Sequence, residues 1–186
     1  MNIIGLGTAA CKIANVFNTW PQYNVCCVDT ENAGYKNFIQ IEEQETHEEY
    51  EKNFSAKDFE HIAGPVILFV AGSGAISGMC LRVLQALRSN DLTVFYIKPD
   101  INSIPQESKT LHKITFGVLQ QYARSNMLTR LFVIDNKNVE GILGDISIVD
   151  YWSNINGAIA NTYHMINFFE NTEPLLTNFG KIGTTL

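Results

Sequence analysis

Long apolar runs, an excess of basic residues and metal-spaced cysteines are all missing from this chain of 186 residues. No run approaches the roughly 18 apolar residues that a membrane-spanning helix needs. The first residues also lack the basic segment of a secretory signal peptide. The 13 Lys and Arg against 19 Asp and Glu give a formal charge of −6, which argues against general nucleic-acid binding. We therefore expect a cytoplasmic protein without membrane or nucleic-acid partners.

Cysteine and proline are scarce, with 4 and 5 residues respectively. Cys11, Cys26, Cys27 and Cys80 lie in apolar stretches without zinc-site spacing, as is typical of small core residues in a reducing compartment. Disorder and low complexity are excluded, because hydrophobic residues make up 46% of the chain. That share is enough for one sizeable core, so the composition predicts a single domain.

Short catalytic motifs are also absent: there is no Gly-x-Ser-x-Gly elbow and no Gly-Lys-Ser/Thr phosphate loop. The histidines have no partner at metal-ligand spacing, and we interpret them as structural or surface residues: His47, His61, His112 and His164. Aromatic residues on the last predicted helix are, from spacing alone, more typical of a core than of a cofactor site: Trp152, Phe168 and Phe169.

Apolar runs that alternate with helical patterns predict an α/β fold. The predicted strands cover residues 2–6, 24–29, 66–70, 93–97 and 131–134. The predicted helices cover residues 8–17, 78–89, 106–125 and about 150–169, and the acidic stretch 42–51 leads into a helix expected to end near residue 61. Near-continuous apolar strands predict burial on both faces. The fold class is therefore a Rossmann-like three-layer α/β/α domain with a mostly parallel sheet and strand 66–70 near its centre.

Ligands of such sheets bind at the carboxyl ends of the strands, which here precede the loops at 5–11, 29–33, 71–78, 98–105 and 135–138. Gly5-Leu-Gly-Thr-Ala-Ala10 follows a strand and opens a helix, where small residues let backbone N–H groups approach a phosphate. The pattern fits a dinucleotide fingerprint, with Asp29 in the place of the ribose-binding acid. It also fits a tight turn with no ligand.

A second small-residue loop, Ala71-Gly-Ser-Gly-Ala-Ile-Ser-Gly78, also joins a strand to a helix. A dinucleotide fold needs one such loop, so two indicate a different nucleotide cradle. The chain resembles the tubulin/FtsZ superfamily of GTP-dependent filament proteins. The resemblance rests on both loops and on four further segments in the family's order: Val28–Ala33, Pro99, Ile134-Asp-Asn-Lys and Asp150–Asn156.

The resemblance implies a GTP or GDP site, with magnesium if GTP binds, and a protein that self-associates or binds other structural proteins. It implies a nucleotide-binding domain over residues 1–170 that ends in the central helix, and the start of a connecting segment over 171–186. The implied nucleotide-binding residues are Gly7, Thr8, Ala9, Ala10, Cys11, Gly72, Ser73, Gly74, Ser77, Gly78, Asn136, Trp152 and Asn156. In the family the central helix covers and bonds the guanine, which here assigns Trp152 and Asn156 to the base.

The phosphate-binding side departs from the family's pattern. Ala75 removes a hydroxyl donor, and Ile76 places a β-branched side chain where backbone should approach phosphate. The loop that senses the γ-phosphate is absent, and six glutamates occupy its region between residues 42 and 51. That acidic run either repels a triphosphate or is a solvated helix face.

The family's hydrolytic acids follow the central helix, and there this chain has Asn178 and Lys181. No Asp or Glu occurs after Glu173, so the sequence predicts no catalytic residue and negligible hydrolysis.

Three functions stay open at this stage. The first is a guanine-nucleotide-binding filament or assembly protein with a degenerate hydrolysis site. The second is a nucleotide-free structural or adaptor module, in a virus particle if the chain is phage-encoded, a source favoured only by the resemblance and by 18 asparagines. The third is a dinucleotide-dependent enzyme that uses the first loop and Asp29.

Overall fold

The computed structural model describes residues 1–172. Six strands form one sheet: β1 (Asn2–Leu6), β2 (Asn24–Asp29), β3 (Phe38–Gln40), β4 (Val66–Ala71), β5 (Leu92–Lys98) and β6 (Arg130–Asp135). Six α-helices accompany them: α1 (Thr8–Val16), α2 (His47–Lys52), α3 (Cys80–Ala86), α4 (Gln106–Arg124), α5 (Asn136–Leu143) and α6 (Tyr151–Asn171). Short 3₁₀ turns cover Phe17–Thr19, Ala56–Asp58 and Ala75–Met79.

The sheet is parallel throughout, in the order β3-β2-β1-β4-β5-β6. This arrangement confirms the predicted Rossmann-like fold class and the central place of the 66–70 strand. Since β1 and β4 are neighbours, paired from Asn2–Val66 to Leu6–Val70, the two small-residue loops leave adjacent strands at the same edge. The topology therefore brings the two candidate phosphate loops side by side.

Two apolar cores lie on the opposite faces of the sheet, because successive side chains of each strand point to opposite sides. On one face Ile4, Leu68 and Tyr96 pack with helices α3 and α4. On the other, Ile3 and Phe69 pack with α1 and α6. All of these strand residues are at most 1% exposed, which confirms burial on both faces. No helix within residues 1–172 is long and apolar enough to cross a bilayer.

The continuous helix predicted to reach residue 61 is wrong. Helix α2 ends at Lys52, and a separate 3₁₀ turn follows at Ala56–Asp58. The reason is the core: Tyr50 and Phe59 are both buried, at 6% and 2% exposure. Nine residues apart on one helix, they would point in opposite directions at 3.6 residues per turn. Breaking the helix lets both rings reach the same core.

Two short elements were missing from the sequence prediction. Strand β3 has only three residues, too few to show a period. Helix α5 occupies the expected loop at 135–138 and is capped by Asp135, whose side chain accepts a hydrogen bond from the Lys137 N–H at 3.1 Å. The core interpretation of the aromatic residues on α6 is also wrong, since Trp152, Phe168 and Phe169 are 59%, 52% and 52% exposed.

Candidate functional site

The first loop presents an open helix N-terminus. Gly7 has φ +84°, a left-handed conformation that favours glycine, and its N–H bonds the Val28 carbonyl at 2.9 Å. The Cys11 N–H bonds the Gly7 carbonyl at 2.8 Å and closes the first turn of α1. No side chain caps the helix, so the N–H groups of Thr8, Ala9 and Ala10 have no partner within residues 1–172. Such groups favour an anion.

The buried side chain of Cys11 stabilises this turn. It is fully buried, and its thiol donates to the Gly5 carbonyl at 3.2 Å and the Val28 carbonyl at 3.5 Å. The adjacent Cys27 thiol and burial raise the pKa of Cys11. The Cys11 side chain therefore fixes the loop and lines no described cavity.

Close packing explains why glycine stands at positions 72 and 78 of the second loop. A side chain on Gly72 would collide with the Tyr96 ring, whose hydroxyl lies 2.6 Å from His112 Nδ1. A side chain on Gly78 would collide with the backbone carbonyl of His47 at the start of α2. Both glycines thus allow buried groups to pack under the loop.

The hydroxyl of Ser77 is buried and has no hydrogen-bond partner among residues 1–172. Its N–H bonds the Gly74 carbonyl at 3.0 Å, so the loop turns tightly there. Ser73 and Gly74 lie nearer the surface than Gly72 and Ser77. The rim of the second loop is therefore formed by Ser73 and Gly74, with Ser77 beneath it.

Ile76 fills the space between the two loops. Its Cγ2 atom would lie 2.7 Å from a Cβ on Gly7 and 3.7 Å from one on Gly74. The isoleucine thus covers the Gly7 backbone with a methyl group, where a phosphate cradle needs close polar backbone. The side chain is anchored, because it also packs against the core beneath the sheet.

Beside the α1 N-terminus lies a cavity of about 320 Å³. It brings together five of the predicted nucleotide-binding residues, which come from three different helices: Thr8, Ala9, Asn136, Trp152 and Asn156. Ile13 and Ile97 form the apolar wall of this cavity, and Lys12 also lines it. Sequence reasoning missed Lys12, although its position four residues after Thr8 places the two on one helix face.

Asn136 reaches the cavity from the first turn of α5, with its Oδ1 atom buried and unpartnered within the described chain. Its neighbours fix the turn: Asp135 accepts from Lys98 Nζ at 3.1 Å, and Lys137 pairs with Asp100 at 3.0 Å. The Lys98 hydrogen bond lowers the pKa of Asp135. Hydrogen bonds from Ser103 and Lys137 lower the pKa of Asp100 to about 2.

The acidic helix α2 packs against the 3₁₀ turn of the second loop. Glu49 completes a capping box with Thr46, and Glu51 pairs with Arg82 at 3.3 Å. Burial lowers the pKa of His47, which begins this helix. Part of the acidic run therefore stabilises a helix end and its packing.

Two further histidines, His112 and His164, have structural roles because they stack on aromatic rings. His112 stacks on Tyr96, and His164 stacks on Trp20 with ring centroids 4.0 Å apart. Within residues 1–172 there is no group of three or more His, Cys, Asp or Glu side chains that could hold a metal ion.

No protein-family model and no curated protein sequence matches the chain. Solved structures do. An FtsZ mutant from M. jannaschii matches with a TM-score of 0.74 and 12% identity over 95% of this chain and 58% of that one. A GTPγS-form protofilament of TubZ from Bacillus thuringiensis serovar israelensis matches with a TM-score of 0.73 and 15% identity, over 91% of this chain and 56% of that one.

The fold is that of FtsZ and TubZ. A helical model of the two-stranded TubZ-Bt filament matches as well, with a TM-score of 0.68 and 15% identity over 96% of this chain and 56% of that one. The chain thus spans 56 to 58% of the length of these FtsZ and TubZ chains.

Asp29, expected to bind a dinucleotide ribose, does not line the cavity. Asp29 is buried and accepts a hydrogen bond from the Thr30 N–H at 2.9 Å, so its carboxylate fixes its own loop. Asn178 and Lys181, expected where the family has acids, lie outside the described residues.

Proposed function

We propose that the chain binds a guanine nucleotide in the cavity of about 320 Å³ and works as a self-associating assembly protein that does not hydrolyse it. One observation carries the proposal. The side chains of Asn156, Trp152 and Asn136 line one cavity beside an uncapped helix N-terminus, in a fold shared with FtsZ and TubZ.

The cavity suits a purine base chemically. Guanine carries donors at N1 and N2, and an acceptor at O6. An asparagine amide offers both a donor and an acceptor, and the Asn136 side chain adds a second amide to the lining. The indole of Trp152 is 59% exposed and can cover an aromatic face, which explains why so large a ring is not packed in the core.

The phosphates would lie at the N–H groups of Thr8 and Ala9, which are exposed and uncapped. On the opposite side Ile76 presents a methyl group, so the second loop offers little polar contact. Magnesium, if GTP binds, would be held through the phosphates and would neutralise their charge. Phosphoryl transfer depends on positioning the phosphates and on stabilising their charge. The second loop, covered by Ile76, would contribute little to either.

Self-association is supported by the neighbours' own structures, a TubZ protofilament and a two-stranded TubZ filament. The chain also exposes large apolar side chains around the segment between α5 and α6, with Ile142, Ile148 and Val149 at 85%, 93% and 90% exposure. Apolar groups of this size are commonly covered in an assembly.

Calorimetric titration of the pure protein with GDP, GTP and NAD tests the nucleotide half of the proposal. We expect GDP and GTP to bind and NAD not to bind. Binding of NAD alone would favour the dinucleotide enzyme instead. Light scattering or sedimentation of the same samples tests self-association separately.

A second candidate is a nucleotide-free structural or adaptor module, in a virus particle if the chain is phage-encoded. The position of Ile76 against Gly7 favours it, because an apolar side chain fills the junction between the loops. Self-association with no heat of binding for any nucleotide would support this alternative.

A further inference from the structure

We propose that Lys12 provides the positive charge that holds the phosphates in this chain, in place of a complete phosphate cradle and its magnesium ion. The inference rests on the proposed nucleotide site, because it assigns a role to a residue of that same cavity. It names a binding residue that neither the sequence motifs nor the family resemblance pointed to.

Lys12 lies in the cavity wall with the first turn of α1. It follows Thr8 by one helical turn on the same face, and both line the cavity with Ala9. The side chain is exposed and forms no ion pair within residues 1–172. None of the residues that line the cavity is acidic, so the lysine gives the cavity a net positive charge.

The other lysines near the cavity are already neutralised. Lys98 ends β5 and Lys137 lies in the first turn of α5 beside Asn136, but they pair with Asp135 at 3.1 Å and with Asp100 at 3.0 Å. Each of these charges is compensated by a carboxylate whose pKa is lowered. Within the described chain, Lys12 is thus the cation of this cavity that has no counter-ion.

A full charge is needed because the remaining phosphate donors are weak. Ile76 covers the second loop, so the N–H groups at the start of α1 are the phosphate donors that remain. A helix N-terminus acts as only about half an elementary charge, whereas a nucleoside diphosphate carries several negative charges. A lysine ammonium adds a whole charge at the same end of the cavity.

This assignment predicts how nucleotide affinity depends on the phosphates of the ligand and on magnesium. A nucleotide held by a protein cation should bind without magnesium, and its affinity should fall at high salt, because Lys12 is exposed to solvent. The neutral nucleoside guanosine should contact only the base end of the cavity, so its affinity should not depend on Lys12.

The test is calorimetric titration of four proteins with GDP and with guanosine, in EDTA and in magnesium: the wild type, Lys12→Met, Lys12→Arg and Lys113→Met. Lys113 is the matched control, an exposed helical lysine on α4, which covers the opposite face of the sheet. Thermal unfolding of each variant establishes that it is folded.

We expect wild-type affinity for GDP to be the same in EDTA and magnesium. Lys12→Met should weaken GDP binding by at least about tenfold, as loss of a charged hydrogen bond does. It should leave guanosine binding unchanged, Lys12→Arg should retain most of the GDP affinity, and Lys113→Met should match the wild type. If the wild type binds no GDP at all, the proposed function fails. If it binds GDP and Lys12→Met binds equally well, or if magnesium is required, only the role of Lys12 is overturned.

Discussion

The two ends of the candidate site differ in how they are filled. At the base end, Trp152 and Asn156 leave a cavity of about 320 Å³ and a buried Asn136 oxygen without a partner. At the phosphate end, Ile76 fills the junction between the loops and covers Gly7. A cavity with a few polar side chains thus lies beside a filled apolar junction, and under the proposed function nucleotide binding and nucleotide hydrolysis are separable.

The largest effect expected from this difference is on catalysis. Loss of a single stabilising donor can cost about 10²–10³ in rate, and the proposed function assigns several such losses to this chain. We expect phosphate release from GTP to stay at background at every protein concentration. A malachite-green assay over a concentration series checks this. Turnover that increases with concentration would mean that neighbouring subunits provide the missing carboxylates, and would contradict the prediction.

The base end should be sensitive to a single amide. Asn156→Ala should weaken GDP binding by more than about tenfold, the roughly 1–3 kcal/mol of a buried partner left unpaired. Asn154→Ala is the control, since Asn154 is exposed on the same helix and does not line the cavity. Titration calorimetry compares the two. Equal affinities in both variants would remove Asn156 from the site.

The phosphate end should respond in the opposite direction. Ile76→Ala uncovers the Gly7 backbone, so GDP affinity should rise by about two- to tenfold, the worth of one new hydrogen bond. The same change removes apolar packing from a half-buried site and should lower the free energy of unfolding by about 1–2 kcal/mol, less than at a fully buried one.

Ile142→Ala is the comparison for Ile76→Ala, because Ile142 is 85% exposed and its loss should change stability little. Urea denaturation with and without GDP measures both quantities. A drop in GDP affinity of Ile76→Ala would show that the isoleucine contributes to the site.

The smallest effect concerns pH. Hydrogen bonds from Ser103 and Lys137 lower the pKa of Asp100 to about 2, so they stabilise the fold above the ordinary carboxyl pKa, and this gain is lost as the pH falls through about 2. The group is exposed, so the gain is small. Asp100→Asn should melt slightly below the wild type at pH 7 and together with it at about pH 1, below both pKa values. A difference that persists there would contradict the assignment.

Much of the fold follows from the sequence, because parallel strands buried on both faces leave apolar runs such as Val66–Ala71 that are hard to interpret otherwise. The break after Lys52 could not be predicted, since it depends on Tyr50 and Phe59 sharing a core across a turn. Strand β3 was equally invisible, because three residues carry no period.

For the candidate site, the motif pattern named Thr8, Asn136 and Asn156, and the structure brings them to one cavity. The apolar context of Cys11 indicated a core residue, which its burial confirms, whereas the family resemblance had placed it among the nucleotide-binding residues. The motif pattern gave no sign that Ile76 lies against Gly7, since that contact joins residues far apart in the chain.

The sheet order also governs how the protein reaches its native state. The central strands β1 and β4 carry both loops, yet Asn2 pairs with Val66, 64 positions further along the chain. The strand pairings join residues 11 to 64 positions apart, and a parallel sheet with no hairpin within residues 1–172 has high contact order and folds slowly. During synthesis, β1 has only β2 beside it until β4 emerges from the ribosome. The junction between the loops therefore forms late, and the nascent chain exposes an unpaired central edge in the meantime.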